Sequence, residues 1–150
     1  MDIYGISKAA HSGLRYVVLL LIVLALIQAL TGWFGGKNYT EGNRKLNLFA
    51  MISAHVQLLL GLVLYFVSPL PQPGNMGAAM KNEITRYWTV EHAVMMILAL
   101  VLITIGHSRS KKATNATDKH RAVAIFYGLG TIVIIVAILQ SGRGLFEMTI

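Results

Sequence analysis

Apolar residues in this chain are gathered into four long runs, each separated from the next by a short polar segment. The runs cover about residues 12–34, 46–68, 87–106 and 120–141. Each is close to the roughly 20 residues that an α-helix needs to cross the hydrocarbon core of a bilayer. The pattern therefore predicts four membrane-spanning helices, the first of them a retained span, and an integral membrane protein in contact with lipid.

Capping residues and helix breakers mark the ends of these predicted helices. Ser, Thr, Asn and Asp favour helix starts, whereas glycine and proline favour helix ends. The expected starts, in chain order, are Ser7, Thr40, Asn82 and Asp118. Gly35 and Gly36 follow the first run, Pro69 the second and Gly142 the fourth.

Short connections between the spans favour antiparallel neighbours. The sequence therefore predicts an all-α, up-down-up-down four-helix bundle in a single membrane domain, residues 1–150. Helices one and three then lie on one diagonal of the bundle, and helices two and four on the other. Both termini and the 69–87 loop lie on one side of the membrane, here called side A. Side B carries the 35–45 and 107–121 connections.

Positive charge is distributed unequally between the two sides. The eight basic residues of side B are Lys37, Arg44, Lys45, Arg109, Lys111, Lys112, Lys119 and Arg121. The five of side A are Lys8, Arg15, Lys81, Arg86 and Arg143. Loops rich in Lys and Arg tend to remain in the cytoplasm, so side B is expected to be cytoplasmic.

The formal net charge of +7 and the absence of cysteine narrow the function classes. The basic residues lie between apolar runs and form no nucleic-acid-binding motif, so membrane topology explains them and no nucleic-acid partner is expected. A chain without cysteine has no disulfide, thiolate metal site, iron–sulfur cluster or covalently attached haem.

Histidines occur inside or at the edges of the apolar runs. His55 lies well inside the second run and His92 a turn or more inside the third, whereas His11, His107 and His120 lie near the ends of runs. An imidazole without a partner in hydrocarbon leaves a donor and an acceptor unsatisfied. Metal ligation removes that cost, because one ring nitrogen binds the metal while the other donates a hydrogen bond.

The predicted topology pairs four of these histidines. His11 and His92 lie on one diagonal near side A, and His55 and His120 lie on the other diagonal towards side B. Each pair is placed to hold one iron from opposite sides, in the interior of the bundle where such cofactors bind. The residues therefore predict at least one haem b and favour two.

Nearby cations suit the two carboxylates of a haem. Arg15 lies one turn from His11 and Arg86 is also on side A, while Arg121 is on side B beside His120. An arginine just inside an apolar span needs an anionic partner, and a propionate group would provide one.

The depth of His120 leaves a different pairing open. At about 1.5 Å per residue, His55 lies about 12 Å inside the second apolar run, whereas His120 is the first residue of the fourth run. His107 is therefore an alternative partner for His55, or it is an interfacial histidine that binds nothing. The remaining histidines can also be read as structural residues, His11 at the membrane surface and His55 and His92 in the core.

The chain also resembles known proteins. The segments HSGLRY, SAHVQLLLGLVLYFVSP, VEHAVMMILALVLITIG and DKHRAVAIFYGL resemble a family of small bacterial four-helix membrane proteins commonly labelled cytochrome b. More broadly the chain is similar to b561-like cytochromes, whose bundles carry two haems b on paired histidines and pass electrons across a membrane. The resemblance implies axial ligation by His11, His55, His92 and His120, in a bacterial inner membrane. The chain departs from the six-helix b561 arrangement because it has only four spans.

The expected function is transmembrane electron transfer, with quinol, quinone or a redox protein as partner. The chain is expected to act as a homo-oligomer or as a subunit of a larger membrane oxidoreductase. Two other classes stay open: a histidine-dependent proton or metal-ion transporter, and a haem-free structural or assembly subunit. The sequence contains no Ser/His/Asp set, HExxH, phosphate-binding loop or CxxC, so catalysis of the soluble-enzyme type has no support.

Overall fold

Four long helices make up most of the structure, a computed structural model that describes residues 2–145 and 147. The helices are α1 (Ile3–Phe34), α2 (Glu41–Val67), α3 (Met76–Ala79), α4 (Glu83–Arg86), α5 (His92–Lys112) and α6 (Ala116–Gln140). A π-helical segment, Tyr87–Glu91, joins α4 to α5 in one continuous span. Within the described part of the chain, four helices are long and apolar enough to cross a membrane, so the predicted all-α membrane fold is confirmed.

The helix ends follow local capping chemistry. α1 begins before Ser7, the predicted start, because the Asp2 carboxylate accepts a hydrogen bond from the Gly5 amide at 2.8 Å. Ser7 instead lies buried within the helix. α2 begins after Thr40, which exchanges reciprocal side-chain bonds with Asn43 in a capping box.

The last long helix also begins slightly before its predicted start. The Asn115 side chain accepts from the Asp118 amide at 2.8 Å, so α6 begins at Ala116. At the other end of α1, Gly36 has a φ of 60°, a left-handed conformation that glycine adopts without strain. That residue reverses the chain towards α2.

The helices pack in the order of a square bundle. α1 packs against α2 and α6, and α5 packs most extensively against α6. The interface between α2 and α5 is the smallest of the four between neighbouring spans. α1 and α5 are thus diagonal, as are α2 and α6.

A cluster of buried side chains fills the middle of the bundle. It consists of small and branched side chains and one tyrosine: Val18, Ile22, Ala25, Ala29, Ala50, Ile103, Val123, Ala124 and Tyr127. Alanines let the helix backbones approach closely, which is typical of helix packing in membranes. Towards side A the helices surround a cavity.

Outside the bundle, the spans present apolar side chains. Leu59, Val94 and Ile132 are 62%, 58% and 58% exposed, respectively. In a span that crosses a bilayer such side chains contact lipid, as predicted.

Candidate functional site

A cavity of about 390 Å³ occupies the side A half of the bundle. It lies within the size range of small-molecule sites. His11 from α1 and His92 from α5 both line it, and these two helices lie on one diagonal. The structure therefore brings this predicted pair to the walls of one cavity.

Local geometry leaves one nitrogen of His92 available. The Tyr87 hydroxyl donates its only proton to the carbonyl oxygen of Ala137 on α6. The Nδ1 atom of His92 lies 3.5 Å from the Tyr87 hydroxyl oxygen and can donate to it in the tautomer that carries its proton on Nδ1. Nε2 then keeps its lone pair, the arrangement that suits an imidazole metal ligand.

Tyr87 is the first residue of the π-helical segment that precedes α5. The segment ends at Glu91, immediately before His92, and Tyr87, Trp88 and Thr89 are all buried within it. Such segments insert an extra residue into a helix, re-aim its side chains and occur often at functional sites.

The ring of His11 packs against Gly61, which has no side chain. His11 is 8% exposed, and a Cβ atom added at Gly61 would lie 3.2 Å from its Nε2. The backbone carbonyl of His11 accepts a hydrogen bond from the Gln57 amide nitrogen at 2.9 Å. α2 thus fixes both the backbone and the ring position of His11.

Two arginines line the same cavity. The Arg15 guanidinium donates to the carbonyl oxygen of Glu147 at 2.6 Å and lies over the Tyr16 ring. Its Nε is buried and has no hydrogen-bond partner among residues 2–145 and 147. Arg143 lies over the ring of Trp88, with its guanidinium carbon 5.5 Å from the ring centroid.

The other two predicted cations lie elsewhere. Arg86 forms an ion pair with Glu91 at 2.9 Å and is not among the residues that line the cavity. Arg121 is exposed in the first turns of α6, on side B.

His120 belongs to a polar cluster at side B. Its Nε2 donates to the carbonyl oxygen of Asn38 at 3.0 Å, and its ring meets that of Tyr39 edge to face. The Tyr39 hydroxyl also contacts the side chains of Asn47 at 3.1 Å and Ser110 at 3.4 Å. We call these five residues the side B cluster. It joins α2, α5 and α6 to the α1–α2 connection.

His55 and His120 are not brought together. His55 lies eight residues beyond Asn47 towards side A, about 12 Å along the helix. The Tyr127 hydroxyl donates to the Asn47 carbonyl oxygen at 2.7 Å, and His120 precedes Tyr127 by two turns towards side B. The two imidazoles are thus separated in depth by about 20 Å, which exceeds the combined reach of their side chains.

His107 lies nearer to His55 in depth. Asn47 and Ser110 contact the same Tyr39 hydroxyl and are therefore level. His107 precedes Ser110 by three residues, so it lies about 8 Å from the level of His55. The Nδ1 of His55 donates to the Met51 carbonyl oxygen at 2.8 Å, which leaves its Nε2 lone pair available.

Sequence reasoning missed several residues of the cavity wall. Tyr87 and Gln57 line it, and Arg143 replaces Arg86 as the second cation. The sequence signal for Arg143 was its position just after the last apolar run on side A. That position does not by itself determine whether the side chain points into the bundle.

Among the described residues, no group of three or more His, Asp or Glu side chains is placed to hold a metal ion. The cavity instead offers two imidazoles and two guanidiniums around apolar walls. A comparison of the chain with descriptions of protein families, with curated proteins and with solved structures found no match.

Proposed function

We propose that the protein is a membrane b-type cytochrome that binds haem b in the side A cavity, between His11 and His92. The observation that carries the proposal is the placement of two imidazoles, from diagonal helices, on the walls of one apolar cavity. The protein then transfers electrons between a quinol, quinone or partner redox protein and the opposite side of the membrane. This function is the one that the resemblance to small bacterial cytochromes b implies.

The residues present fit such a group. A porphyrin is flat and apolar, with two carboxylates at one edge and an iron that accepts two axial nitrogens. The walls supply small side chains at Ala54 and Ala93, which let a flat ring approach the helix backbones. Arg15 and Arg143 supply positive charge, and the partnerless Nε of Arg15 is an unused donor for a carboxylate.

Each residue has a separate task in this proposal. His92, with Tyr87 at its Nδ1, would hold the metal through Nε2, and His11 would supply the second imidazole. Gln57 and Gly61 set the position of His11. The apolar walls exclude water, which makes the surroundings a low-dielectric medium that tunes the reduction potential. The bound group supplies one-electron chemistry.

The orientation and setting follow the charge distribution. We place side B in the cytoplasm of a bacterium, with the protein in the inner membrane, because eight of the thirteen basic residues lie on that side. The cavity then lies in the outer half of the membrane. We also propose that the chain works as a homo-oligomer or as a subunit of a larger oxidoreductase.

Spectroscopy of the purified protein tests the function. The protein is expressed with added haem precursor, and a reduced-minus-oxidised spectrum is combined with a pyridine haemochrome assay. We expect b-type bands that His11→Ala and His92→Ala each abolish. His120→Gln serves as the control and retains them, because its amide can still donate to Asn38.

A colourless preparation of folded protein would contradict the proposal. It would favour the two haem-free alternatives, a histidine-dependent transporter or an assembly subunit.

A further inference from the structure

Three nitrogen-bearing side chains meet between α2 and α5 at the side B end of the bundle. His107 and Lys111 are four residues apart on α5 and therefore share one face of that helix. Lys111 and Arg44, which belongs to α2, both lie close enough to act electrostatically on His107. The three lie at the smallest interface between neighbouring spans. We call Arg44, His107 and Lys111 the cationic seam.

Helix geometry confirms that Arg44 lies on the side of α2 that faces α5. The Tyr65 hydroxyl donates to the Thr89 carbonyl oxygen at 2.7 Å, which marks the side of α2 turned towards the third span. Arg44 precedes Tyr65 by nearly six turns and lies within about 60° of it around the helix. Lys45, the next residue, is turned roughly 160° from Tyr65 and therefore away from the seam.

The interior of the bundle is closed behind the cationic seam. Asn47 and Ser110 are each 1% exposed, and their side chains contact the Tyr39 hydroxyl at 3.1 Å and 3.4 Å. Arg44 and Lys111 flank this contact, one on each helix. A ligand of the cationic seam must therefore approach from the outer surface of the bundle.

The cationic seam offers donors and positive charge but few acceptors. The Nδ1 atom of His107 is buried and has no hydrogen-bond partner within the described part of the chain. Orphaned buried N–H groups are rarer than unpaired acceptors, so the proton of the neutral ring belongs on Nε2, which is then a donor. Arg44 pairs with Glu41, but these side chains are 42% and 63% exposed, and such a pair contributes little.

The depth of the cationic seam matches the lipid headgroups. The second apolar run begins at about residue 46 and the third ends at about 106, so the three side chains lie just outside the hydrocarbon core. Further into the membrane, Ile52 of α2 and Val101 of α5 are 45% and 47% exposed and contact acyl chains. A ligand here meets positive charge at one end and hydrocarbon at the other.

We propose that the cationic seam binds the phosphate of an anionic phospholipid, whose acyl chains lie along α2 and α5. Phosphate oxygens accept hydrogen bonds from guanidinium, ammonium and imidazole N–H groups. Basic sites between membrane helices at the headgroup level bind such lipids. The bound phosphate links α2 to α5, the two neighbouring spans with the smallest interface.

The charge of side B selects an anionic lipid over a zwitterionic one. Side B carries eight basic residues and two acidic residues, Glu41 and Asp118. Asp118 is bonded to the Asn115 side chain at 3.0 Å. A headgroup with its own ammonium group is repelled by this surplus of cations, whereas a headgroup with a net negative charge is attracted.

Native mass spectrometry of the full chain in mild detergent measures this binding directly. The delipidated protein is titrated with phosphatidylglycerol, with phosphatidylcholine of the same acyl chains, and with sn-glycerol 3-phosphate. We expect one phosphatidylglycerol to bind saturably, about tenfold more tightly than phosphatidylcholine. It should also raise the Tm, because a ligand of the folded state stabilises that state. The soluble phosphate ester should do neither, since it lacks the chains.

Matched variants locate the site. Lys111→Gln and Arg44→Gln should each weaken phosphatidylglycerol binding about tenfold, as expected for a lost charge-assisted hydrogen bond. Lys112→Gln and Lys45→Gln are the controls. Each removes the same charge at the same end of the same helix, one position away and turned by about 100°. The controls should bind the lipid within about twofold of the unaltered protein.

Equal weakening by Lys111→Gln and Lys112→Gln would overturn the inference, because the attraction would then be diffuse. Equal affinity for phosphatidylcholine would contradict the selection for an anionic lipid. Equally tight binding of sn-glycerol 3-phosphate would make the ligand a soluble phosphate ester and overturn the lipid assignment. None of the three residues lines the side A cavity, so lipid selectivity in a chain that takes up no haem supports this inference and contradicts only the cytochrome function.

Discussion

The Nε2 atom of His120 lies 3.0 Å from the carbonyl oxygen of Asn38, so this imidazole secures the connection that follows α1. The same ring packs against Gly32, where an added Cβ would lie 2.5 Å from three of its atoms. His120 is 2% exposed. In the structure His120 thus forms a contact between α6 and the end of α1.

This contact predicts a strong effect of Gly32→Ala. The methyl group cannot fit beside the imidazole, so α1 or α6 must shift, and we expect a loss of about 1–3 kcal/mol in the free energy of unfolding. His120→Ala should cost about 2–4 kcal/mol, because it removes both the packing and the bond to Asn38. The double variant should cost less than the sum, since each change relieves the other.

Unfolding titrations in mixed detergent micelles measure these differences. Gly13→Ala is the matched control, because a Cβ there meets nothing within 4 Å. It should be neutral or stabilise the helix slightly. Strict additivity of Gly32→Ala and His120→Ala would show that the two residues do not interact.

Anion binding at the cavity predicts that two arginines of side A, Arg15 and Arg143, differ in their effect from a third, Arg86. Arg15→Gln and Arg143→Gln should each weaken the binding of haem about tenfold, as expected for a lost charge-assisted hydrogen bond. Arg86→Gln should have no such effect, because Arg86 pairs with Glu91 and does not line the cavity.

The dimethyl ester of haem sharpens this test. It lacks the two carboxylates, so the Arg15 and Arg143 variants should bind it as well as the unaltered protein does. Affinities come from absorbance titrations of the haem-free protein. Equal weakening for haem and for its ester would assign these arginines a purely structural role.

The depths of the histidines predict how many haems the chain binds. We expect one haem b per chain in the side A cavity, where the sequence alone predicted two. If the haemochrome assay gives two, the second should be lost on His55→Ala or His107→Ala and retained on His120→Gln. Loss of the second haem in His120→Gln would mean that α6 lies deeper in the membrane than the contact between Tyr127 and Asn47 allows.

The membrane orientation can be tested with single cysteines, because the natural chain has none. A cysteine at Thr114, in the α5–α6 connection, should resist a membrane-impermeant thiol reagent in intact cells. A cysteine at Gly74, in the side A loop, should react. The reverse pattern would place side B outside, against the eight-to-five distribution of basic residues.

Local patterns in the sequence account for the elements of this fold. Four apolar runs of membrane-spanning length define the four long helices, and Thr40 and Asn115 begin two of them through bonds to residues three positions ahead. These interactions need only neighbours along the chain, which is why they can be read from it. The diagonal placement of His11 and His92 also follows, because short connections leave antiparallel packing as the simple arrangement.

Contacts between distant residues were decided by the tertiary structure alone. Whether His120 faces an iron or the carbonyl of Asn38 depends on the position of α6 along the bundle axis relative to its neighbours. The hydropathy pattern defines that position only to within several residues. Arg86 and Arg143 both flank apolar runs on side A, so the sequence does not distinguish them. In the structure Arg86 pairs with Glu91 near the π-helical segment, whereas Arg143 lies over the ring of Trp88. The sequence by itself determined which segments cross the membrane. The depths and rotations of the helices, which only side-chain packing fixes, decided which polar residues meet.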